Sequence, residues 1–543
     1  MLRIIFLCTL LHVAGLLYAV DLGPSIKTFI DNKPEGSRYE IDREYLYSSQ
    51  VLPRFYNNRD FRPAWIAAQT LNKNGHDLLN YIRRVDEHGL RPQDYHLHLI
   101  EKHVAKLISF HVPLEKDLVH LDILLTDAFL LLGSQMYFGK VDPNKEGADW
   151  KIQRKEPGLR LDIKLERALY NDDITSALDS LEPRQHSYRV LKRKLSLLRS
   201  LEEHNWPVLR SGSSIKPGEV HALMPEIRLR LKKLDYPIND TLSDAYDPEL
   251  VKIVVLFQNE RGLNADGVVG KGTLEALNRK PGQLADEVRV NMERLRWLPL
   301  NVPEQYILVN IANFELDLLR QADTVISMRA IVGKEYRKTP VFNGRISYLV
   351  FSPTWTVPPT ILRNDVIPEL MKGPGYLQQK NMVLLRTDGT EIAYTDVDWS
   401  KVSKKNFPYM VRQNPGPDNA LGRVKFMFPN EYNVYIHDTP SKTLFSQEGR
   451  AFSSGCVRVE KPFELAQTLL ADMPDWTEEK IKEAMNRDRE QRVNLKTPVD
   501  VVLIYLTAWS DNNQRVHFRK DVYKRDAMVL NALNQKPTKR QIR

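Results

Sequence analysis

The hydrophobic pattern of this chain changes period at about residue 304, and that change limits its fold more than any other feature. Upstream, apolar residues recur at helical spacing. Leu78, Leu79, Ile82 and Val85 share one face, and Leu118 to Leu132 is apolar over most of its circumference. From Glu304 to about Pro474 the pattern reads as strands, at Tyr306 to Val309, Phe314 to Leu319, Ile346 to Phe351 and Asn433 to His437. The two textures in separate blocks predict a multidomain α+β protein. A chain of 543 residues has room for about two to four domains.

Four blocks follow from this reading: a helical scaffold at 39–215, a compact unit at 221–279, a mainly β block at 304–485, and a strand and helix at 495–535 that complete the scaffold or the β block. In the compact unit, Ile227, Leu231 and Leu234 form one apolar helix face and Leu250 to Phe257 a second. The turn Asp266-Gly267-Val268-Val269-Gly270 precedes a third short helix, for which Thr273 is the expected N-cap. A charged helix is expected near Trp476 to Arg489 and an apolar strand at Val501 to Leu506, before a frayed basic end at Lys536 to Arg543.

Residues 1–19 read as an export segment: Arg3 supplies a positive start, Ile4 to Leu17 is almost unbroken apolar sequence, and Ala19 is a small residue at a cleavage position. The run is short for a span of roughly 20 residues. It is read as a cleaved signal peptide, with a retained N-terminal anchor as the alternative, and either one delivers the remainder across a membrane. Removing it takes only Arg3 from the formal charge of +9 and leaves +8. That mild excess, with no run of five like charges, excludes a nucleic-acid binder and suits at most a polyanionic partner such as a cell-wall polymer.

Of the two cysteines, Cys8 goes with the export segment, so Cys456 has no partner within the mature chain. An unpaired thiol in an exported protein is accidental, intermolecular, or kept for reactivity. It stands in Ser453-Ser454-Gly455-Cys456-Val457-Arg458, where small neighbours let a substrate backbone approach the sulfur. Alternation along Asn433 to His437 puts Asn433, Tyr435 and His437 on one face and Val434 and Ile436 on the other. Fifteen residues then separate His437 from Ser453, enough for a loop that returns Cys456 to the imidazole. His437 therefore reads as the base that activates the thiol. Alternation points Asp438 away from His437 and against a triad. No His-Glu-x-x-His, phosphate loop or dinucleotide fingerprint occurs, and Asp94-x-His96-x-His98 lies in the helical block far from the cysteine, so neither metal nor cofactor is expected.

The pattern of a histidine, fifteen residues, then Ser453, Gly455, Cys456, Val457 and Arg458 resembles the signature of L,D-transpeptidases of the YkuD type. One position departs, because Ser454 stands where that family usually has a second histidine. Further landmarks are Gly333 with Thr339-Pro340, Pro353-x-Trp355 leading to Pro358-Pro359, Asn414-Pro415-Gly416, and Asn419-Ala420-Leu421-Gly422. With Phe55, Arg62, Pro63, Trp65, Asp86 to Leu90, Tyr95 and Thr507-Ala508-Trp509, the order is similar to the large YcbB-like branch. The compact unit resembles a small three-helix peptidoglycan-binding domain, through Phe257-Gln258 and the Asp266-Gly267-x-x-Gly270 turn.

The resemblance implies a mainly β catalytic domain with an inserted lid at about 361–409, for which Gly373-Pro374-Gly375 is the expected hinge. It implies Cys456 as nucleophile, His437 as base oriented by a main-chain carbonyl, and Tyr435 with the Cys456 N–H at the oxyanion. Arg458, Ser453, Ser454, Gly455, Trp355 and Asn419 are the expected substrate-binding set, the two serines supporting the turn rather than reacting. Implied partners are peptidoglycan tetrapeptide stems as donor and acceptor, carbapenem-type inhibitors, and proteins of cell-wall synthesis, in the periplasm. Crosslinking between third residues of two stems, attachment of a protein or D-amino acid by the same chemistry, hydrolysis, and non-catalytic wall binding all remain open at this point.

Overall fold

The computed structural model describes residues 21–33, 38–109, 113–144, 149–152, 158–299, 303–321 and 323–537. The segment expected to direct export, Cys8 and most of the basic C-terminal end lie outside the described residues. Two compact units divide the chain: Met1–Lys140 with Glu156–Pro183 and Leu533–Arg543, and Val141–Lys155 with Arg184–Ala532. No helix among the described residues is long and apolar enough to cross a membrane.

The first unit is helical and is organised on the helix Glu115–Phe138, every residue of which from Asp117 to Met136 is buried. Its apolar circumference explains the wrapping by helices Lys73–Arg83, Leu97–Ser109, Leu161–Tyr170 and Ile174–Asp179. Carboxylates inside such a core need partners. Asp122 accepts from the Ala64 and Trp65 main-chain N–H groups and the Tyr56 hydroxyl. His96 bridges Glu44 and Asp127 at 2.8 Å each, and Asp94 holds Lys140 at 2.6 Å.

In the second unit, helices Met224–Lys233, Pro248–Arg261 and Lys271–Leu277 form the compact three-helix motif. Its turn winds around the buried Gln258 amide, which donates to the Val268 carbonyl at 2.9 Å and accepts from the Gly267 N–H at 2.9 Å. Thr273 is not the N-cap. Gly270 occupies that position, and the Thr273 hydroxyl is buried against Gln258, 3.1 Å away.

Nine strands build the main sheet: β1 (Gln305–Asn310), β2 (Glu315–Arg320), β3 (Asp323–Gly333), β4 (Phe342–Phe351), β5 (Val424–Met427), β6 (Ile436–His437), β7 (Ala451–Ser453), β8 (Val457–Val459) and β9 (Gln491–Ile504). The order is β7-β3-β8-β6-β5-β4-β9-β1-β2, and β2 pairs in turn with β3, so the ladder closes on itself. Ile307, Val309, Leu316, Leu318, Ile346, Val501 and Leu503 are buried and share one face of it. Strand β9 begins ten residues before the apolar run that marks it in the sequence. Its polar first half still pairs with β4, and a register break between Asn494 and Val499 lies around Pro498. The charged helix is shorter than expected, Glu478–Ala484, and is capped by Thr477.

Between β4 and β5 an insert carries its own sheet, formed by Trp355–Thr356, Met382–Leu385, Glu391–Ile392 and Met410–Gln413. It also has its own core of Val357, Val366, Leu370, Leu377, Leu384 and Val411. The two chains that enter and leave it pair with each other, Trp355 with Gln413 and Thr356 with Arg412. Gly373-Pro374-Gly375 does not lie at this neck. It turns between helices Ile367–Leu370 and Gly375–Gln379 inside the insert, with Gly373 at φ +140°, so it is not placed to hinge the insert as a whole.

Candidate active site

Strands β6 and β8 run parallel and in register, Ile436 beside Val457 and His437 beside Arg458. The preceding residues follow, since the Val457 N–H donates to the Tyr435 carbonyl at 3.1 Å. One ladder thus aligns Tyr435 to His437 with Cys456 to Arg458. Alternation is regular only from Val434. Asn433 adopts φ +54°, which rotates it out of the face expected for it and aims its carbonyl at the Cys456 sulfur, 3.8 Å away.

Tyr435 also faces the thiol. Its main-chain N–H and its hydroxyl both face the sulfur, and the Trp355 indole donates to the same hydroxyl. Burial pushes the Cys456 thiol up, while Tyr435 and Arg458 pull it back toward the thiolate. The imidazole of His437 is 4 % exposed, and its ring centre lies 5.5 Å from that of Tyr435. Its Nδ1 lies 2.5 Å from the Asp438 carbonyl, which requires the proton on that nitrogen. Burial and then the Arg458 charge push its pKa down to about 3, so the ring is neutral at any ordinary pH. Among the described contacts, the thiol proton rests toward Asn433 rather than on the imidazole.

The Asp438 side chain serves the turn, accepting from the Arg423 and Thr439 N–H groups and from Lys442. Arg458 is half-buried, has no carboxylate partner among the described residues, and leaves Nε without a hydrogen bond. Lys425, which sequence reasoning missed, lies directly opposite His437 on β5, and burial lowers its pKa.

The turn before the thiol is held from behind. Gly455 has φ +124°, which only glycine adopts readily. Ser453 donates its hydroxyl to the Cys456 carbonyl at 2.6 Å and accepts the Gly455 N–H at 3.1 Å. The Ser454 hydroxyl accepts from Arg337 at 2.9 Å, and Arg337 also reaches Asp365 of the insert at 3.5 Å. Thr339 is fully buried, donates to the Gly455 carbonyl at 2.8 Å and accepts from the Gly333 N–H at 2.9 Å. Gly333 has no room for a side chain, because a Cβ there would sit 2.1 Å from the Arg337 carbonyl. Tyr523, far along the chain, accepts from the Thr339 N–H and donates to the Gly333 carbonyl.

The expected binding residues therefore separate. Tyr435, His437, Cys456, Arg458 and Trp355 come together, and Ser453, Ser454 and Gly455 shape the turn. Asn419 does not present its amide to a ligand. It is 1 % exposed, donates to the Pro353 and Asn414 carbonyls and accepts from the Leu421 N–H. Arg337, Thr339, Lys425 and Tyr523 carry no local motif, and only the Gly333/Thr339 landmark hinted at their corner.

Residues 304–501 match the family described as the L,D-transpeptidase catalytic domain, 50–195 match the scaffold domain, and 221–277 match the peptidoglycan binding domain, itself a provisional name. A curated protein of Haemophilus influenzae, provisionally named an L,D-transpeptidase, is 34 % identical over 250 residues. That match covers 46 % of this chain and spans half the length of the relative. Among solved structures, an L,D-transpeptidase from Xylanimonas cellulosilytica overlaps 55 % of this chain and 100 % of its own, at 14 % identity and a TM-score of 0.18. One from Stackebrandtia nassauensis overlaps 55 % and 97 %, at 12 % identity and a TM-score of 0.22. A third, solved in complex with imipenem, overlaps 37 % and 59 %, at 12 % identity and a TM-score of 0.18.

Proposed function

Starting from a chain that carries an L,D-transpeptidase catalytic domain with scaffold and peptidoglycan-binding domains, we propose that it transfers acyl groups between peptidoglycan stems through Cys456. The observation that carries the reading is the parallel β6–β8 register, which sets a neutral imidazole, a phenol and a half-buried guanidinium around one thiol. Domain matches outside the ladder support the substrate class.

The donor is a tetrapeptide stem. Cys456 attacks the carbonyl of the third residue, the bond from that carbonyl to the D-alanine nitrogen breaks, and a thioester forms. His437 takes the thiol proton on Nε2, because Nδ1 is committed to the Asp438 carbonyl, and passes it to the departing amine. The sulfur must first leave the Asn433 carbonyl, a rearrangement of the kind that substrate binding commonly brings. Tyr435 and the Cys456 N–H meet the oxyanion, each donor lowering the barrier by about 3 kcal/mol when aligned. Arg458 takes a substrate carboxylate through its unpartnered Nε edge. In the second half, the side-chain amine of another stem's third residue attacks the thioester, the C–S bond breaks, and the amine's proton returns by way of His437 to sulfur.

The reading places the protein in the periplasm, after export by residues 1–19. It also makes carbapenems, whose ring acylates thiols, its covalent probes.

The test is intact mass of the protein and of Cys456→Ala after incubation with disaccharide-tetrapeptide, with mass analysis of the products. Loss of D-alanine with dimer formation by the unaltered protein alone is the expected result. Monomeric tripeptide would mark a hydrolase, a stem whose D-alanine is replaced by an added D-amino acid an exchange enzyme, and no adduct a wall-binding protein.

A further inference from the structure

We propose that the helical unit binds a divalent transition-metal ion of the zinc class between Asp42, His103 and His120. The ligand atoms of these three residues lie within 4.8 Å of one another. They come from three elements: Asp42 from the turn between strands Glu40–Ile41 and Glu44–Tyr45, His103 from helix Leu97–Ser109, and His120 from helix Glu115–Phe138. A bound ion would tie the hairpin to both helices.

His103 gives the independent pointer. It is 1 % exposed, and its Nε2 has no hydrogen-bond partner. A ring nitrogen sealed in that way loses its hydration without compensation. Its surroundings show what would satisfy it. Nδ1 stands 3.0 Å from an Asp117 oxygen, and Nε2 faces Asp42 at 3.8 Å. Carboxylate, imidazole and cation in that order is the usual outer support of a metal-ligating histidine, since the carboxylate holds the proton on one nitrogen and frees the other. Lys106 holds Asp117 in turn, 2.6 Å from the same oxygen.

The other two ligands fit this geometry. His120 is held edge-on between His103 and Phe29, with ring centres 5.6 Å and 6.1 Å away. Asp42 also accepts from Lys102 at 2.8 Å, and a carboxylate retains lone pairs for a metal beside such a bond. Because its turn is exposed, Asp42 is free to close on the two imidazoles. Two imidazoles and a carboxylate are a donor set that zinc accepts, with solvent as the fourth ligand. The ligands are spread over positions 42, 103 and 120, so no spacing rule finds them, whereas Asp94 and His96, which the sequence does set side by side, are taken up by Lys140, Glu44 and Asp127.

The experiment strips the full-length protein with a chelator and titrates it with Zn²⁺, and with Co²⁺ as a spectroscopic substitute, reading bound metal by elemental analysis. The double variant Cys8→Ala, Cys456→Ala serves as the background, so that neither thiol can contribute. One equivalent of zinc is expected, with cobalt absorption typical of nitrogen and oxygen ligands. Asp42→Asn and His120→Gln should each abolish stoichiometric uptake, and Asp117→Asn should weaken it about 10–100-fold. Asp42→Asn keeps the fold, because the residue is exposed and asparagine tolerates its φ of +48°. Zinc should raise the melting temperature of the unaltered site only. No uptake by the stripped protein, or full uptake by both ligand variants, overturns the proposal, and neither result touches the reading of Cys456.

Discussion

The buried Thr339 hydroxyl donates to the carbonyl of Gly455, 2.8 Å away, and so fixes the main chain one residue before the only thiol among the described residues. Thr339→Val leaves that carbonyl and the Gly333 N–H without partners. The expected cost is about 1–3 kcal/mol of stability, read from the denaturant midpoint. Acylation by a carbapenem should slow by more than the stability loss explains. Tyr523→Phe, which frees the same corner from the C-terminal side, should reproduce the effect.

His437 should leave no ordinary imidazole limb in the pH profile. Its pKa is pushed down to about 3, so the base form persists through pH 6.5, and kcat/KM should not fall there. The stability consequence has the opposite side. Unfolding returns the ring to about 6.5, so between that value and 3 the unfolded chain binds more protons. Stability contributed by the neutral ring is therefore full above pH 6.5 and is lost as pH falls toward 3. Denaturation curves of His437→Gln should show a shallower acid slope than the unaltered protein.

Burial raises the Cys456 pKa, and the two Tyr435 donors oppose it. Iodoacetamide should therefore alkylate the thiol more slowly at neutral pH than it alkylates a free cysteine, with the rate still climbing above pH 9. Tyr435→Phe removes one donor and should shift the profile further up. A rate that matches free cysteine would contradict this account of the site.

Arg458 has a buried Nε without a hydrogen-bond partner, and its charge acts on the Cys456 thiol. Arg458→Gln should raise KM for a tetrapeptide donor about 10–100-fold, the range of a charged hydrogen bond worth about 1.5–3 kcal/mol. The same change removes a charge that opposes protonation of His437, so the His437 pKa should rise. An unchanged KM would remove Arg458 from substrate binding.

The change of hydrophobic period was enough to separate helical from stranded blocks, because burial on one face imposes 3.6 or 2 residues on any sequence. Cys456 and His437 were legible because their spacing matches a local strand-loop-strand device. Where the reading slipped, a local rule met a tertiary demand. Alternation predicts Asn433 on the face of Tyr435, but its positive φ breaks the pattern before Val434. Thr273 looked like a cap but its hydroxyl is used by Gln258. Asn419 looked like a ligand but its amide closes a loop. Tyr523 lies 184 residues from Thr339, and no pattern along the chain announces such a contact.

The paired neck of the insert has a consequence for how such a protein changes over time. Trp355 and Thr356 leave the ring already bonded to Arg412 and Gln413, and the Val357 N–H meets the Val411 carbonyl at 2.8 Å. The ring therefore meets everything beyond that seam as it would meet a hairpin loop, whose ends are held together whatever the length between them. A change of length beyond the seam should cost the ladder little in closure entropy, while Trp355 at the seam and Asp365 beyond it tie the insert to the thiol's surroundings.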